Sequence, residues 1–299
     1  MSNARKLADN LPIEGSLSGR NLLINGAMQF WQRGTSFSSN SAYNADRWKV
    51  DNNSGGGGQS TDTPDGFTYS LIIDPSSGNA ALRQPIELPA AGEGGVFRSG
   101  QKFTLSFYLK SANAGEAINI FAASGTNVDA TTTAQVNDTS TGLTTATSWT
   151  RYTYTFTSNN VGGSDTCYNI VPYVSSPSGN TYWTGLQLEI GSQSTPFEHE
   201  PVEVTQNKCL RYFFKSPSAS NKPYSYATQY QTTHRFFYHW YNVPMRATPS
   251  VTTTYTNSAA SSAPTEYHAN QYHWKAYVTA NYTSGSSARI QEFQADAEF

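Results

Sequence analysis

The stretch FTLSFYLKSA at residues 103–112 decides the fold class. Phe103, Leu105, Phe107 and Leu109 recur at every second position and alternate with residues that are mostly polar. Successive side chains of a β-strand point to opposite faces of its sheet, so this period predicts a strand with one buried face. A buried sheet face needs a second apolar layer, which other stretches of the chain have to supply.

Two further stretches predict strands of the same kind, WTRYTYTFT at 149–157 and YWTGLQLEI at 182–190. The side chains that we expect on their core-facing sides are Tyr152, Tyr154, Phe156, Tyr182, Leu186 and Leu188. Segments rich in Gly, Ser and Asn, such as SNNVGGS at 158–164, separate the strands as turns do. Residues 21–203 therefore predict an all-β domain, an antiparallel jelly-roll β-sandwich.

The composition agrees with β structure and excludes two classes of partner. Of the 299 residues 37% are hydrophobic and only 13% are charged, about half the usual charged share. The net charge of −2 comes with no run of Lys or Arg, so we expect no nucleic-acid binding. No run of 18 apolar residues occurs, so we expect no membrane insertion. Cys167 and Cys209 are interpreted as free thiols.

The N-terminal segment, residues 1–20, predicts a short helical arm. Leu7 and Leu11 share one side of a pattern that Pro12 ends. A helix of two turns is marginal alone in water, so this stripe either frays or docks on another protein. We interpret residues 1–20 as an attachment arm that docks on another protein.

A boundary near Pro201 predicts a smaller C-terminal β domain over residues 204–299. In THRFFYHWYNV at 233–243 both alternating faces carry aromatic residues, and YHWKAYVTANY at 272–282 repeats the theme. A strand that is apolar on both sides is expected to be buried on both sides, either in a two-sheet core or at a subunit interface. This surplus of apolar surface predicts a homo-oligomer, with a trimer as the specific expectation.

Three tyrosines in KPYSYATQY are the candidate glycan- or receptor-binding residues, Tyr224, Tyr226 and Tyr230. Their even spacing predicts one shared strand face, and their polar neighbours suggest that this face is near solvent. Tyrosine rings suit stacking on sugars or packing on proteins. The alternative is that the three rings line the interior of the trimer, and the sequence does not separate the two.

The strand patterns also predict where the tryptophan and histidine side chains lie. Trp31, Trp48, Trp149 and Trp183 fall in the sandwich strands and turns, so we expect them in the core, whereas Trp240 and Trp274 fall in the doubly aromatic strands. The pairs His234 with His239 and His268 with His273 are each five residues apart. An odd spacing on one strand points the two side chains to opposite faces, so neither pair is expected to chelate a metal.

Several motifs follow one another along the chain in an order that resembles one protein family. NLLINGAMQFWQRGTSF at 21–37 and YNADRW at 43–48 precede the strands quoted above, and WTGLQLEIGSQSTPFEHEP follows at 183–201. Together they resemble the carbohydrate-binding-module-like jelly rolls of bacteriophage tail proteins. KCLRYFFKS, VPMRATPSV and the closing ADAEF resemble the C-terminal portion of the same proteins.

The resemblance implies a structural protein of the phage particle, made in the host cytoplasm and commonly trimeric. A tail-fibre or tail-associated protein that binds a host-surface glycan or receptor is the leading interpretation. A capsid-decorating or head-fibre protein and an exopolysaccharide depolymerase are the alternatives. The resemblance implies a calcium site at places that carry Gln29, Thr184 and Gly185 here, none of which is a carboxylate, so no cofactor or metal is expected. The alternative is a calcium ion held by backbone carbonyls and Asn25.

Catalytic signatures are missing from the sequence. There is no G-x-S-x-G elbow for a nucleophilic serine, and no phosphate-binding loop. Glycoside hydrolysis needs two carboxylates held close together, but nothing marks any two of the acids as a pair. The acids considered were Asp46, Glu87, Glu189, Glu198 and Glu200. We therefore expect a protein that is not an enzyme and has no catalytic residue.

Overall fold

A computed structural model describes residues 19–38, 42–53, 55–89, 95–126, 131–158, 164–217, 224–229, 233–257, 263–279 and 288–299. The arm with Leu7 and Leu11 lies outside these ranges. The chain divides into two compact units, one of residues 1–202 with Phe299 and one of residues 203–298. From sequence the boundary was placed between residues 203 and 204.

The first unit is built of antiparallel β-strands. They are β1 (Ser36–Phe37), β2 (Lys49–Asn53), β3 (Gly56–Ser60), β4 (Ser70–Asp74), β5 (Gly78–Glu87), β6 (Lys102–Ser111), β7 (Ala117–Gly125), β8 (Thr131–Thr144), β9 (Thr150–Thr157), β10 (Cys167–Val174) and β11 (Thr181–Ile190). One sheet has the order β1-β3-β4-β11-β6-β9 and the other the order β2-β5-β10-β7-β8. This architecture confirms the predicted all-β jelly-roll sandwich.

The strand that decided the fold lies deep in the core. Phe103, Leu105, Phe107 and Leu109 of β6 are fully buried. The ring centroid of Phe107 lies 5.5 Å from that of Trp183 on β11. Burial of each such side chain contributes about 1.5–3 kcal/mol, so this row supplies much of the free energy that joins the two sheets.

A β-bulge in β11 corrects one predicted face. The register against β6 shifts between Thr184 and Gln187, and Gly185 in the bulge has φ of +63°. The extra residue reverses the alternation of side chains. Trp183 and Leu186 are therefore both in the core, while Tyr182, which was expected beside Leu186, lies on the outer face.

The outer face of the same sheet is covered by the chain itself. The Phe67 ring packs against Tyr108 at 5.3 Å and against Phe197 at 5.0 Å. Trp149 also lies on this side, where its indole Nε1 donates to Asp62 Oδ1 at 2.9 Å.

The expectation of a core position for Trp149 was therefore wrong, because a local carboxylate partner keeps it at the sheet surface. Trp48 and Trp183 are fully buried and Trp31 packs partly buried against the core, as expected.

The second unit begins with a helix, α1 (Val202–Leu210), and continues with short strands. They are β12 (Phe213–Lys215), β13 (Ser225–Tyr226), β14 (Thr228–Gln229), β15 (His234–Trp240), β16 (Ser250–Asn257), β17 (Thr265–Ala269), β18 (His273–Thr279) and β19 (Ala288–Asp296). In one sheet β19 pairs with β16, β12 and β13, and the other has the order β14-β15-β18-β17. The helix was not anticipated, because Val202 and Val204 are exposed and the segment has no apolar stripe.

The core of the second unit lies between its two sheets. Phe237 of β15 and Trp274 of β18 meet Phe293 of β19, and the rings of Trp274 and Phe293 are 5.2 Å apart. Small residues fill the rest of this layer, among them Ala276 and Ala295. One face of each sheet thus packs into the core of the unit.

None of the described helices is long and apolar enough to cross a membrane.

Replacement of Gly185 by Ala tests the bulge. A Cβ there would come within 2.7 Å of Phe67 and 2.8 Å of Tyr108, and the positive φ adds strain. We expect the Gly185→Ala change to destabilise the sandwich by about 2–4 kcal/mol, from backbone strain and overpacking together. Thermal unfolding measures this loss. Gly115→Ala is the control, because Gly115 has φ of +85° but open space around it. Equal losses in both variants would contradict the account.

Candidate functional site: an exposed aromatic sheet face

The second unit leaves one face of the sheet β14-β15-β18-β17 uncovered in the described chain. The side chains of β15 alternate, so Phe237 faces the core while its neighbours Phe236 and Tyr238 face outward. In β18, Trp274 faces the core and Lys275 faces outward. We call the outward set the aromatic face. It comprises His234, Phe236, Tyr238 and Trp240 of β15, Tyr267 and His268 of β17, and His273, Lys275 and Tyr277 of β18.

Several large rings of the aromatic face are open to solvent. The exposed fraction is 67% for Trp240, 63% for Tyr267 and 47% for Tyr238. Tyr272, in the turn between β17 and β18, is 52% exposed. Contiguous exposed apolar surface on a folded protein marks a site of interaction more often than isolated exposed residues do. The expectation that both sides of β15 are buried is therefore not met within one chain.

The rings on this face hold one another in place. Phe236 lies 5.8 Å from Tyr267 and 5.8 Å from Tyr277, and 6.1 Å from Tyr238. Cross-strand pairing sets this arrangement, because Phe236 is opposite Tyr277 in the β15–β18 ladder. Aromatic side chains have two rotatable bonds, so a packed cluster of them loses little entropy when a ligand binds.

Lys275 lies at the centre of the cluster. Its Nζ is 4.4 Å from the ring centroid of Phe236, 4.6 Å from that of Tyr267 and 5.0 Å from that of Tyr238. A cation over an aromatic face is attracted by the ring quadrupole, by about 0.5–1 kcal/mol per contact at an exposed site. These contacts fix the ammonium group over the rings.

Two histidines meet at one end of the aromatic face. His268 Nδ1 and His273 Nε2 are 3.1 Å apart, and Trp240 lies 4.8 Å from the His273 ring. The prediction that this pair points to opposite faces was wrong, because the chain turns at Asn270 and the two residues occupy neighbouring antiparallel strands. His234 and His239 lie on opposite faces of β15 as predicted, against Tyr277 and Phe214 respectively.

The three tyrosines singled out from sequence do not form one surface. Tyr224 packs on Phe293 in the core at 5.9 Å, whereas Tyr226 is 62% exposed. Tyr230 lies outside the described residues. The chain changes sheets between β13 and β14, so the even spacing of these residues does not correspond to one continuous strand. Tyr226 belongs to the sheet of β19, apart from the aromatic face.

Tyr224 belongs to a buried polar cluster with His239 and Tyr241. The Tyr224 hydroxyl and His239 Nδ1 are 2.6 Å apart, and the rings of His239 and Tyr241 are 4.9 Å apart. Burial lowers the pKa of His239 to about 4 and raises the pKa of Tyr224 to about 12. Burial also raises the pKa of Tyr241. The imidazole of His239 is therefore neutral near pH 7 and shares a hydrogen bond with the Tyr224 phenol.

Several acids considered from sequence act as loop tethers in the sandwich. Glu198 Oε2 accepts from the backbone N–H of Asn21 at 3.0 Å, and Glu189 Oε2 accepts from that of Thr195 at 3.0 Å. Asp46 accepts from Gln32, and burial raises its pKa despite that bond. Within the described ranges no group of three or more His, Cys, Asp or Glu residues is placed to hold a metal ion.

The turn at residues 25–30, considered from sequence as a calcium site, is held in place by an amide. Asn25 Oδ1 accepts from the backbone N–H of Gln29 at 2.8 Å, and Asn25 Nδ2 donates to the carbonyl of Asp46 at 3.0 Å. The indole of Trp48 donates to the carbonyl of Asn25. Asn25, at φ of +56°, thus uses both ends of its side chain on the backbone.

Sequence reasoning identified the strands of the aromatic face but not its exposure. The alternation correctly placed Phe236, Tyr238 and Trp240 together. It could not show that only one core layer exists in this unit, and so it predicted that both sides are buried. The position of Lys275 among the outward residues of β18 was the one available signal, since lysine is rarely buried without a partner.

Comparison with known proteins finds neither a matching family model nor a matching curated protein. Similar solved structures include the enzymatically active domain of tailspike protein 4 of bacteriophage CBA120, at 15% identity and a TM-score of 0.35. That match covers 57% of this chain and 22% of the phage chain, so this chain spans about a fifth of that protein's length.

Carbohydrate-binding modules are also among the similar structures. CBM4 matches at 18% identity and a TM-score of 0.36, over 56% of this chain and 98% of the module. TmCBM61, solved with β-1,4-galactotriose, matches at 13% identity and a TM-score of 0.32, over 58% of this chain and 100% of the module. The structural neighbours thus include a phage tailspike domain and carbohydrate-binding modules.

The buried imidazole predicts a pH dependence of stability in the second unit. His239 protonates near its ordinary pKa of about 6.5 when unfolded but only near pH 4 when folded. Stability is therefore full above pH 6.5 and falls by about 1–3 kcal/mol as the pH drops toward 4. Thermal unfolding between pH 4 and 7 measures it. We expect His239→Gln to flatten this dependence and His268→Gln, at an exposed position, to retain it. An unchanged profile in His239→Gln would contradict the assignment.

Proposed function

We propose that this chain is a non-enzymatic structural protein of a bacteriophage particle that binds a host-surface glycan through the aromatic face. The observation that carries the proposal is the exposure of Trp240, Tyr267 and Tyr238 on one sheet surface. Sugar rings present flat patches of C–H groups, which stack on aromatic rings while their hydroxyls stay solvated. An exposed, packed set of rings offers such a ligand a preformed platform.

The polar rim of the aromatic face fits the same kind of ligand. His268 and His273 lie together at one end of the face, and the His273 ring is 4.8 Å from that of Trp240. A glycan needs both stacking surfaces and hydrogen-bonding groups around them. The centre of a protein–protein interface is typically depleted of charged residues, whereas Lys275 lies within this ring cluster.

The assignment to a phage particle rests on the resemblance of the motif succession at 21–48, 103–112, 149–157 and 183–201 to phage tail proteins. A tail-fibre or tail-associated position is our specific proposal, with residues 1–20 as the attachment arm to other virion proteins. In this proposal the sandwich is a stably folded unit, and the second unit carries the recognition surface. Such a protein has only to bind the glycan and does not have to cleave it.

A glycan-binding experiment tests the proposal directly. The purified protein is applied to an array of bacterial capsular and O-antigen polysaccharides, and bound polymers are titrated. We expect the double variant Trp240→Ala/Tyr267→Ala to lose affinity by about tenfold or more, because each lost stacking contact costs about 1 kcal/mol. Tyr226→Ala is the matched control, since Tyr226 is equally exposed but belongs to the other sheet.

Two outcomes would contradict this role of the aromatic face. The first is binding that survives in the double variant and is lost in Tyr226→Ala, which would restore Tyr226 as the recognition residue. The second is dissociation of an oligomer in the double variant without any glycan binding by the parent protein. That result would make the aromatic face a subunit interface.

The proposed oligomer has its own measurement. We expect light scattering of the purified protein at micromolar concentration to give the mass of a trimer, three times 32.7 kDa. The reason is the resemblance of the motif succession to phage tail proteins, which implies a trimer in which the aromatic face stays open to the glycan. A monomer mass under these conditions would overturn the trimer and leave the glycan proposal standing.

A further inference from the structure

We infer that the ligand of the aromatic face is an acidic saccharide, whose carboxylate pairs with Lys275. This inference rests on the proposed function, that the face binds glycan, and adds the chemical class of the sugar. The ammonium of Lys275 lies over aromatic rings, and no carboxylate of the described residues pairs with it.

Lys275 differs from other lysines of the chain in its partners. Lys110 pairs with Asp62 at 2.5 Å, and Lys215 pairs with Glu292 at 3.0 Å. In the part of the chain that the structure describes, no carboxylate lies within ion-pair distance of Lys275. Its contacts are the rings of Phe236, Tyr267 and Tyr238. The rings replace part of the water around the ammonium, which strengthens its attraction for an added anion.

The second unit as a whole is short of acids. The second unit, residues 203–298, contains eight Lys and Arg but five Asp and Glu, although the complete chain has a net charge of −2; Glu203 is in α1. Glu292 and Asp296 are on β19, in the other sheet, and Glu298 follows it. Glu266 is the acid on the sheet of the aromatic face, and its carboxylate is engaged by the Trp274 indole. The charge of this unit is therefore complementary to a negatively charged polymer.

The position of Lys275 relative to Trp240 suits a single sugar unit. Trp240 is opposite His273 in the β15–β18 ladder, and Lys275 is two residues further along on the same face. Such diagonal neighbours lie about 7–8 Å apart. A saccharide ring stacked on Trp240 can therefore direct a ring substituent along the sheet toward the ammonium. Stacking on Trp240 favours a pyranose ring. The ammonium of Lys275 favours a ring that carries a negatively charged substituent.

One ammonium group matches a carboxylate better than a phosphate. A carboxylate carries one charge and accepts charge-assisted hydrogen bonds from a single lysine. A phosphate monoester carries up to two charges near pH 7, and its sites use several cationic or backbone donors. Among the described outward residues, Lys275 is the one Lys or Arg within the ring cluster. We therefore assign the carboxylate of a uronic or similar acidic sugar.

The test compares acidic polysaccharides with their own carboxyl-reduced forms. Each acidic polymer that binds the protein on the array is reduced so that its carboxylates become primary alcohols, and affinities for both forms are measured. We expect the acidic form to bind about tenfold or more tightly, and this preference to weaken as salt is raised. Lys275→Met should abolish the preference while keeping the affinity for the reduced form. Lys275→Arg, which keeps the charge, should retain it.

The outcomes separate this inference from the proposed function. Equal binding of acidic and reduced polymers, still dependent on Trp240, would overturn the acidic ligand and leave glycan binding intact. A preference for acidic polymers that survives in Lys275→Met would overturn the role of Lys275, as would Lys275-dependent binding confined to phosphate-bearing polymers. No binding to any polymer on the array would overturn both. Thermal unfolding of Lys275→Met controls for misfolding.

Discussion

A two-sheet unit with one apolar layer can bury only one face of each sheet, and the second unit of this protein is built under that constraint. Trp274, Phe237 and Phe293 occupy the single layer. Every outward aromatic side chain of β15 and β18 must then find another neighbour or meet solvent. The constraint explains why a small domain with so many rings still has Trp240 and Tyr267 largely exposed.

The same constraint separates two uses of aromatic residues. Inward rings such as Phe293 stabilise the fold through area and close packing. Outward rings such as Phe236 pack on one another and on the ammonium of Lys275, so they keep a defined arrangement without a core around them. The sandwich unit handles its outer surface differently, because Phe67 and Phe197 cover part of a sheet that would otherwise be open.

Sequence patterns predicted those features that depend on simple alternation. The row from Phe103 to Leu109 and the division of β15 into two faces follow directly from a period of two. Features that depend on one irregular residue were missed. Gly185 reverses the faces of β11, and the turn at Asn270 brings His268 to His273. Tyr224 and Tyr226 separate because β13 begins only at Ser225, so the period of two that governs a strand does not extend back to Tyr224.

The alternation of side chains in β15 also determines which of its positions can accept substitutions during evolution. Positions 234, 236, 238 and 240 meet the outside, and positions 237 and 239 hold the unit together. An outward substitution removes no inward packing, so variants at alternate positions inherit a folded scaffold. New binding chemistries could therefore arise along one seven-residue strand without loss of the fold.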